Sequence, residues 1–499
     1  MSGIDYILNA LTPINLLLSL VGVTAGTVIG ALPGLSATMA VAVLVPLTFS
    51  MDPTSGLIML GAIYMGAIYG GAFAAILVNT PGTPSAIATT FDGFPMAKKG
   101  DGDLAISLAT IASVVGGVFG VFMLLWLSPI LAEFALQFGP SEYFWIALFG
   151  LTLIASLSNG SVLKGFAGAA FGMLCSTVGV AVVGGDVRFT FGSDHLLGGI
   201  DIVAALIGLY CMPVLIDLVT TCTRHLEMPA EGKGYRLKEA IALSLQNKVN
   251  LVRSSVLGTL IGILPGAGGS VASLVAYSEA RRTSPRKEEF GKGVPDGVLA
   301  TESANNATVG GGFIPTLVLG VPGTPPDAVI MGALLVQGIK TGPALFTENG
   351  DIVYTFIYGL LIASLLMLPV GLLIGRYAYR SIASFSKAIL VPAIAVLCVV
   401  GSFAINNNPG DSLIMVCLGA VGWVLNRFGF PPSPIVLGII LGPIAEQGFV
   451  QNYLIGNATN NLMGSFFGRP VSQGIIVLIV LALFYPIISS RLRKRFAKA

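Results

Sequence analysis

Charge is what this chain has least of. Only 10% of its 499 residues are Asp, Glu, Lys or Arg, whereas 54% are hydrophobic, and a soluble fold of this size needs more polar surface than that. Apolar runs repeatedly exceed the ~18 residues that a bilayer-spanning helix requires, so the sequence is that of a polytopic membrane protein. No Lys or Arg precedes Lys98, so the basic region of a cleavable signal peptide is missing and the first apolar segment is expected to stay in the mature protein. Histidine and cysteine are scarce too. Cys175, Cys211, Cys222, Cys398 and Cys417 show no CxxC spacing and no neighbouring His pair, which excludes a recognisable disulfide framework or zinc site. His195 and His225 stand alone in expected loops. With no HExxH, CxxC or Walker motif, the chain is not expected to be an enzyme, to carry a cofactor or to bind nucleic acid.

What the chain does have, it has twice. Gly26-Thr27-Val28-Ile29-Gly30-Ala31-Leu32-Pro33-Gly34 returns as Gly258-Thr259-Leu260-Ile261-Gly262-Ile263-Leu264-Pro265-Gly266, an offset of 232 residues. Pro81-Gly82-Thr83-Pro84 returns as Pro322-Gly323-Thr324-Pro325, an offset of 241. Each copy places helix-breaking residues inside an apolar segment, and paired interruptions of this kind mark the binding sites of carriers built from repeats. Around the second Leu-Pro-Gly, arms of about 12 residues rise roughly 18 Å, little more than half of a ~30 Å hydrocarbon core. Residues 254–278 therefore read as a re-entrant helical hairpin, and residues 20–48 as its counterpart. The segments around 81–84 and 322–325 read as broken helices that cross the membrane, because apolar sequence continues on both sides of each break.

Further spans are expected near 104–131, 142–158, 161–184, 200–221, 351–374, 388–405, 411–426, 433–449 and 471–490. If the first hairpin enters from outside, 23 of the 26 basic residues fall on the cytoplasmic side, leaving Arg188, Lys340 and Arg469 outside; the positive-inside rule is satisfied and the C-terminus is cytoplasmic. Five crossings then separate the hairpins, so the second half lies upside down relative to the first. The expected fold is all-α, with two inverted-topology repeats at 1–221 and 254–499, each holding one hairpin and one broken helix. A cytoplasmic connector at 222–253 joins them, with a short amphipathic helix within 237–249.

In this topology no Lys or Arg lies at mid-membrane, so an anion would be bound by backbone N–H groups and hydroxyls at the breaks. The candidates are Thr80, Gly82, Thr83 and Ser85 in the first half, and Gly323 and Thr324 in the second. At the hairpin tips, Gly34, Ser36 and Thr38 are set against Gly266, Gly268, Gly269 and Ser270. The alternative is that these are packing glycines and proline kinks, which are common where membrane helices meet. Glu302-Ser303-Ala304-Asn305-Asn306-Ala307-Thr308 is the most polar run to precede a break, and its hard oxygen ligands suit Na⁺ better than a soft metal. Glu302, Asn305 and Asn306 are accordingly candidates for a coupling ion, with an interfacial turn as the alternative. Asp327, just past the second break, would repel an anion and attract a cation or proton, or cap a helix.

The pattern GxxxGxLPGL at Gly26–Leu35, the run from Tyr69-Gly70-Gly71 to Asn79-Thr80-Pro81-Gly82-Thr83-Pro84, the Glu302–Ala307 cluster and Val321-Pro322-Gly323-Thr324-Pro325 together resemble the large membrane subunit of tripartite tricarboxylate transporters, the TctA family. The likeness runs from about residue 15 to 470. It implies a multi-pass permease of the bacterial inner membrane that works with a small membrane subunit, TctB-like, and a periplasmic solute-binding protein, TctC-like. It also implies uptake of tricarboxylates or related carboxylates by symport with Na⁺ or H⁺. The family's acidic run is usually Pro-Glu-Ala-Ala-Asn-Asn; here Thr301 and Ser303 replace the Pro and the first Ala, leaving Glu302, Asn305 and Asn306 in place. A stand-alone carboxylate carrier is the main alternative, with an ion channel or a membrane-embedded enzyme more remote.

Overall fold

The computed structural model describes residues 3–496 apart from 33, 158–160, 221–235, 376–386 and 405. Pro33, Cys222, His225 and residues 222–235 of the expected connector lie outside the described residues. In chain order the helices run α1 Gly3–Ala10, α2 Pro13–Gly30, α3 Ala37–Leu44, α4 Pro53–Val78, α5 Thr90–Lys98, α6 Gly102–Ala135, α7 Pro140–Leu157 and α8 Val162–Ser176. They continue as α9 Ile202–Thr220, α10 Leu237–Gln246, α11 Lys248–Ile263, α12 Gly268–Thr283, α13 Pro295–Leu319, α14 Pro325–Val336, α15 Leu345–Glu348 and α16 Gly350–Leu373. Helices Lys387–Ala404, Pro409–Arg427, Pro432–Ala458, Leu462–Phe467 and Pro470–Phe496 complete the described chain. Seven of these, α2, α4, α6, α9, α16, Pro409–Arg427 and Pro432–Ala458, are long and apolar enough to cross a bilayer. The chain is a multi-pass membrane protein.

Two expectations change in detail. The segment 161–184 is not one helix: α8 stops at Ser176, and Gly179–Val180 pairs antiparallel with Val187–Arg188. Valine-rich sequence on either side of the Gly184-Gly185 turn favours a hairpin over a helix. The hairpin arms are also longer than their apolar cores. α2 starts at Pro13, whose fixed φ and missing N–H suit a first helical position, while α11 and α12 have 16 residues each, about 24 Å. Both extend into polar turns beyond Arg253 and Arg281, where water can accept the unpaired backbone groups.

The chain divides into two compact units, one of residues 1–131 and 214–405, the other of 132–213 and 406–499. In the first unit, α2 lies along α4 and α11 along α13; α3 packs on α14, and the 3₁₀ turn Pro84–Thr89 packs on α12. Both α4 and α13 are buried over nearly their whole length, which explains why neither shows an apolar stripe. Glycine sets the close approach. Gly26 and Gly30 face the backbone of Ile63 and Ala67, and Gly258 and Gly262 face that of Ala304 and Thr308, residues that correspond at the same 232 and 241 offsets. Bulkier side chains there would drive the helices apart. At one end of this unit Asp92 of α5 accepts the backbone N–H groups of Gly291, Gly293 and Val294 at 2.9, 2.8 and 3.0 Å, tying α5 to the turn before α13. On α12, Arg282 lies 2.8 Å from Glu279 and holds its carboxyl below the usual range.

In the second unit, helix Pro432–Ala458 packs on α7 and α8, and Pro470–Phe496 on α7. Buried Glu142 pairs with Arg469 at 2.5 Å and accepts the Ser472 hydroxyl at 2.6 Å. Arg188 pairs with Glu446 at 2.6 Å.

Candidate substrate and ion site

Both breaks are made by the same backbone. α4 ends on Asn79 at φ 54°, and α13 on Gly320 at φ 69°. Asn and Gly are the residues that enter the left-handed region most readily, and each ends its helix as a left-handed cap. The N–H groups of Asn79 and Thr80 both point to the Ala74 carbonyl, and those of Gly320 and Val321 to the Pro315 carbonyl. Thr83 and Thr324 are then extended, and helical structure resumes with Pro84 and Pro325. Proline suits that start because no N–H is needed there.

Each hairpin meets the break of its own half. Gly34 and Gly266 turn their tips at φ 91° and 86°, angles that admit glycine at no steric cost. Gly266 donates its N–H to the Gly323 carbonyl at 2.8 Å. A methyl group on Gly323 would lie 2.7 Å from Gly312 Cα and 2.8 Å from the Gly262 oxygen; one on Gly82 would overlap the Gly30 oxygen and lie 2.9 Å from Gly71 Cα. The motif glycines are therefore points of backbone-to-backbone contact, as the packing alternative anticipates.

The second hairpin also reaches both breaks. A Cβ built on Gly268 lies 3.9 Å from Thr324 Cγ2; one on Gly269 overlaps Asn305 Oδ1 and lies 2.9 Å from Ser85 Cβ. Ser270 follows, half-buried, in the first turn of α12. The first hairpin is placed differently. Gly34 is exposed, with Leu218 Cδ2 3.9 Å from its built Cβ. Ser36 accepts the Met39 N–H at 3.1 Å as the cap of α3, and Thr38 is buried within that helix. Thr80 is half-buried and donates to the Val78 carbonyl at 3.3 Å.

The polar run of α13 lies in the interior, since Glu302, Asn305 and Asn306 are fully buried. An interfacial turn is thereby replaced by a helical segment. One oxygen of Glu302 accepts the Thr89 hydroxyl and the other the Ser113 hydroxyl at 3.2 Å. Asn305 has no partner for either end of its amide, nor Asn306 for its oxygen. Asp327 is fully buried; its Oδ2 accepts the Thr324 hydroxyl at 2.6 Å, and its Oδ1 has no partner. The Tyr64 hydroxyl completes the chain, 2.8 Å from Thr324 Oγ1. Orphaned polar atoms at this depth are costly in a stable fold, and a bound water or ion is one way to satisfy them. Tyr64, Thr89 and Ser113 had no signal of their own in the sequence, although Tyr64 is the residue 241 positions before Asn305.

A multi-pass chain whose paired helix breaks meet glycine-tipped hairpins around buried oxygens is, as a class, a membrane carrier. Residues 16–437 match the tripartite tricarboxylate transporter TctA family, and the chain belongs to that family as a transporter large subunit. It is 36% identical over 493 residues, 97% of this chain and 96% of the relative, to an uncharacterised 52.8 kDa protein in the TAR-I ttuC' 3' region of Agrobacterium vitis. It is also 36% identical over 241 residues to an uncharacterised protein in the TAR-II ttuC' 3' region of the same organism, covering 97% of that shorter chain and 47% of this one. No solved structure matches.

Proposed function

We propose that this chain is the permease subunit of a binding-protein-dependent secondary carrier, importing tricarboxylates or related carboxylates by symport with Na⁺ or H⁺. The observation that carries the reading is the paired break: two helices interrupted by the same left-handed cap, each in contact with a glycine-turned hairpin, with unpartnered Asn305, Asn306 and Asp327 atoms buried beside them. Internal correspondence at offsets of 232 and 241 supports inverted repeats at 1–221 and 254–499 joined by a connector at 222–253, the plan of alternating-access carriers. The excess of basic residues in one set of loops supports a cytoplasmic C-terminus in the bacterial inner membrane. Backbone N–H groups and hydroxyls around Gly82, Thr83, Ser85, Gly323 and Thr324 would receive the carboxylates, and Glu302, Asn305, Asn306 or Asp327 the coupling ion. Partners would be a TctB-like small membrane subunit and a TctC-like solute-binding protein.

Reconstitution into proteoliposomes tests this. Labelled citrate, tartrate and succinate should accumulate under a Na⁺ or proton gradient when the chain is joined by its small subunit and binding protein, without ATP. Equal uptake by the chain alone would make it a stand-alone carrier, and steady single-channel current would make it a channel.

A further inference from the structure

The two breaks share a backbone and differ in chemistry. The register that pairs Gly71 with Gly312, Gly82 with Gly323 and Thr83 with Thr324 also pairs Tyr64 with Asn305, Ala86 with Asp327 and Gly61 with Glu302. Both acidic groups therefore belong to the second half, and at the first break the equivalent of Asp327 is a methyl group.

At the second break, Tyr64, Thr324 and Asp327 form a hydrogen-bonded chain of 2.8 and 2.6 Å that ends on a carboxylate whose other oxygen is bare. Among the described residues no Lys, Arg or His hydrogen-bonds or ion-pairs with Asp327, and Tyr64 is the titratable group joined to it through Thr324. An ionised carboxylate buried with one unsatisfied oxygen and no counter-charge is strongly disfavoured. A proton or a hard cation on Oδ1 removes that penalty.

At the first break Thr83 and Ser85 are neutral, and the nearby carboxylate, Glu302, has both oxygens taken up by the Thr89 and Ser113 hydroxyls. Thr83 and Ser85 share a hydrogen bond of 3.1 Å. Ser85 Cβ and Asn305 Oδ1 approach the same glycine, Gly269, at the tip of the second hairpin, and the Asn305 Nδ2 is unpartnered as well. A free amide N–H₂ and hydroxyls, with no unpartnered carboxylate oxygen among the described residues beside them, suit the oxygens of an anionic group.

Resting on the carboxylate-symport reading, we propose that the two equivalent breaks are specialised: the second, at Tyr64, Thr324 and Asp327, takes the coupling positive charge, and the first, at Asn305, Ser85 and Thr83, takes a substrate carboxylate. Asn305 is thereby moved from the ion set to the substrate set. The equal backbone provides two cradles, and the substitution of Asp327 for Ala86 decides which of them is cationic.

The test uses the complete reconstituted transporter with labelled citrate, tartrate or succinate, whichever the wild type moves, in two modes: gradient-driven accumulation, and exchange of internal for external substrate at equal ion concentrations. Asp327→Asn should reduce accumulation at least tenfold while exchange stays within about twofold. Tyr64→Phe should shift the ion dependence in the same direction. Asn305→Ala should raise the half-saturating substrate concentration at least tenfold in both modes, with the ion dependence unmoved. Stimulation by Na⁺ at fixed pH, or by acid pH without Na⁺, tells the cation from the proton. The proposal is overturned if Asp327→Asn weakens substrate affinity with coupling intact, or if Asn305→Ala changes ion dependence with affinity intact. Should Asp327→Asn fail to insert, Tyr64→Phe and Asn305→Ala decide by the same criteria. A wild type that moves none of the three acids overturns the carboxylate reading itself.

Discussion

Gly266 donates its backbone N–H to the carbonyl oxygen of Gly323 across 2.8 Å, so the Leu-Pro-Gly tip and the Pro-Gly-Thr-Pro break of the second half are one piece of structure. Gly34 makes the corresponding turn at nearly the same φ, 91° against 86°, but lies exposed. Alanine at either position should cost about 1–2 kcal/mol in backbone strain, read as similar falls in melting temperature in detergent. Gly266→Ala should in addition reduce uptake several-fold more than Gly34→Ala, because among the described residues only the second tip donates a backbone hydrogen bond to its break. Equal losses of uptake would count against this asymmetry.

Gly82 and Gly323 lie where backbones touch. Valine at either site must displace the Gly30 carbonyl or Gly312 and the Gly262 carbonyl, and overpacking of this kind typically costs about 1–3 kcal/mol. Uptake should be abolished in both variants while immunoblots still find the chain in the membrane fraction. Normal transport by both would remove the breaks from the mechanism.

Three N–H groups converge on Asp92 Oδ1 from Gly291, Gly293 and Val294. Asp92→Ala leaves those donors without their acceptor and should lower stability by about 2–4 kcal/mol. Thermal unfolding in detergent gives the size of the loss, and Asp92→Asn, which keeps an acceptor oxygen, should recover part of it.

Glu142 is fully buried, whereas its partner Arg469 is 47% exposed. Arg469→Ala strands the carboxylate, with an expected cost of about 2 kcal/mol once the exposure of the arginine is discounted. Adding Glu142→Gln should restore stability, since no charge then needs a partner. A double variant less stable than Arg469→Ala alone would show that the pair matters for packing instead.

Opposite orientation of the two halves has its own test. In a background without cysteine, Ser50→Cys after the first hairpin should react with an impermeant maleimide added outside, and Lys287→Cys after the second should react only in inverted vesicles. Labelling of both from one face would exclude inverted repeats.

Much of this fold could be read in advance because membranes impose simple rules. Long apolar runs became helices at 102–135, 202–220 and 350–373, since every backbone group must be satisfied within lipid. The two interruptions were legible because Pro and Gly break helices wherever they stand. Elsewhere local preference competed with hydrophobicity: residues 161–184 read as one span, yet the helix stops at Ser176 and β-branched valines around a Gly-Gly turn made a hairpin. The site was legible only in outline. Thr83, Ser85, Thr324 and Asp327 were marked by their motif, but Tyr64 reaches Thr324 across 260 residues, and Thr89 and Ser113 reach Glu302 across 213 and 189. No local pattern encodes such pairs.

Sequence alone determined the bilayer setting, the duplication and the left-handed turns, because composition, repetition and glycine act over a few residues at a time. Tertiary structure decided which buried atoms find partners and which do not. That outcome depends on how α4, α13 and the second hairpin interlock: the same register that makes the two breaks alike in backbone leaves Asp327 and Asn305 with unmatched atoms in different surroundings.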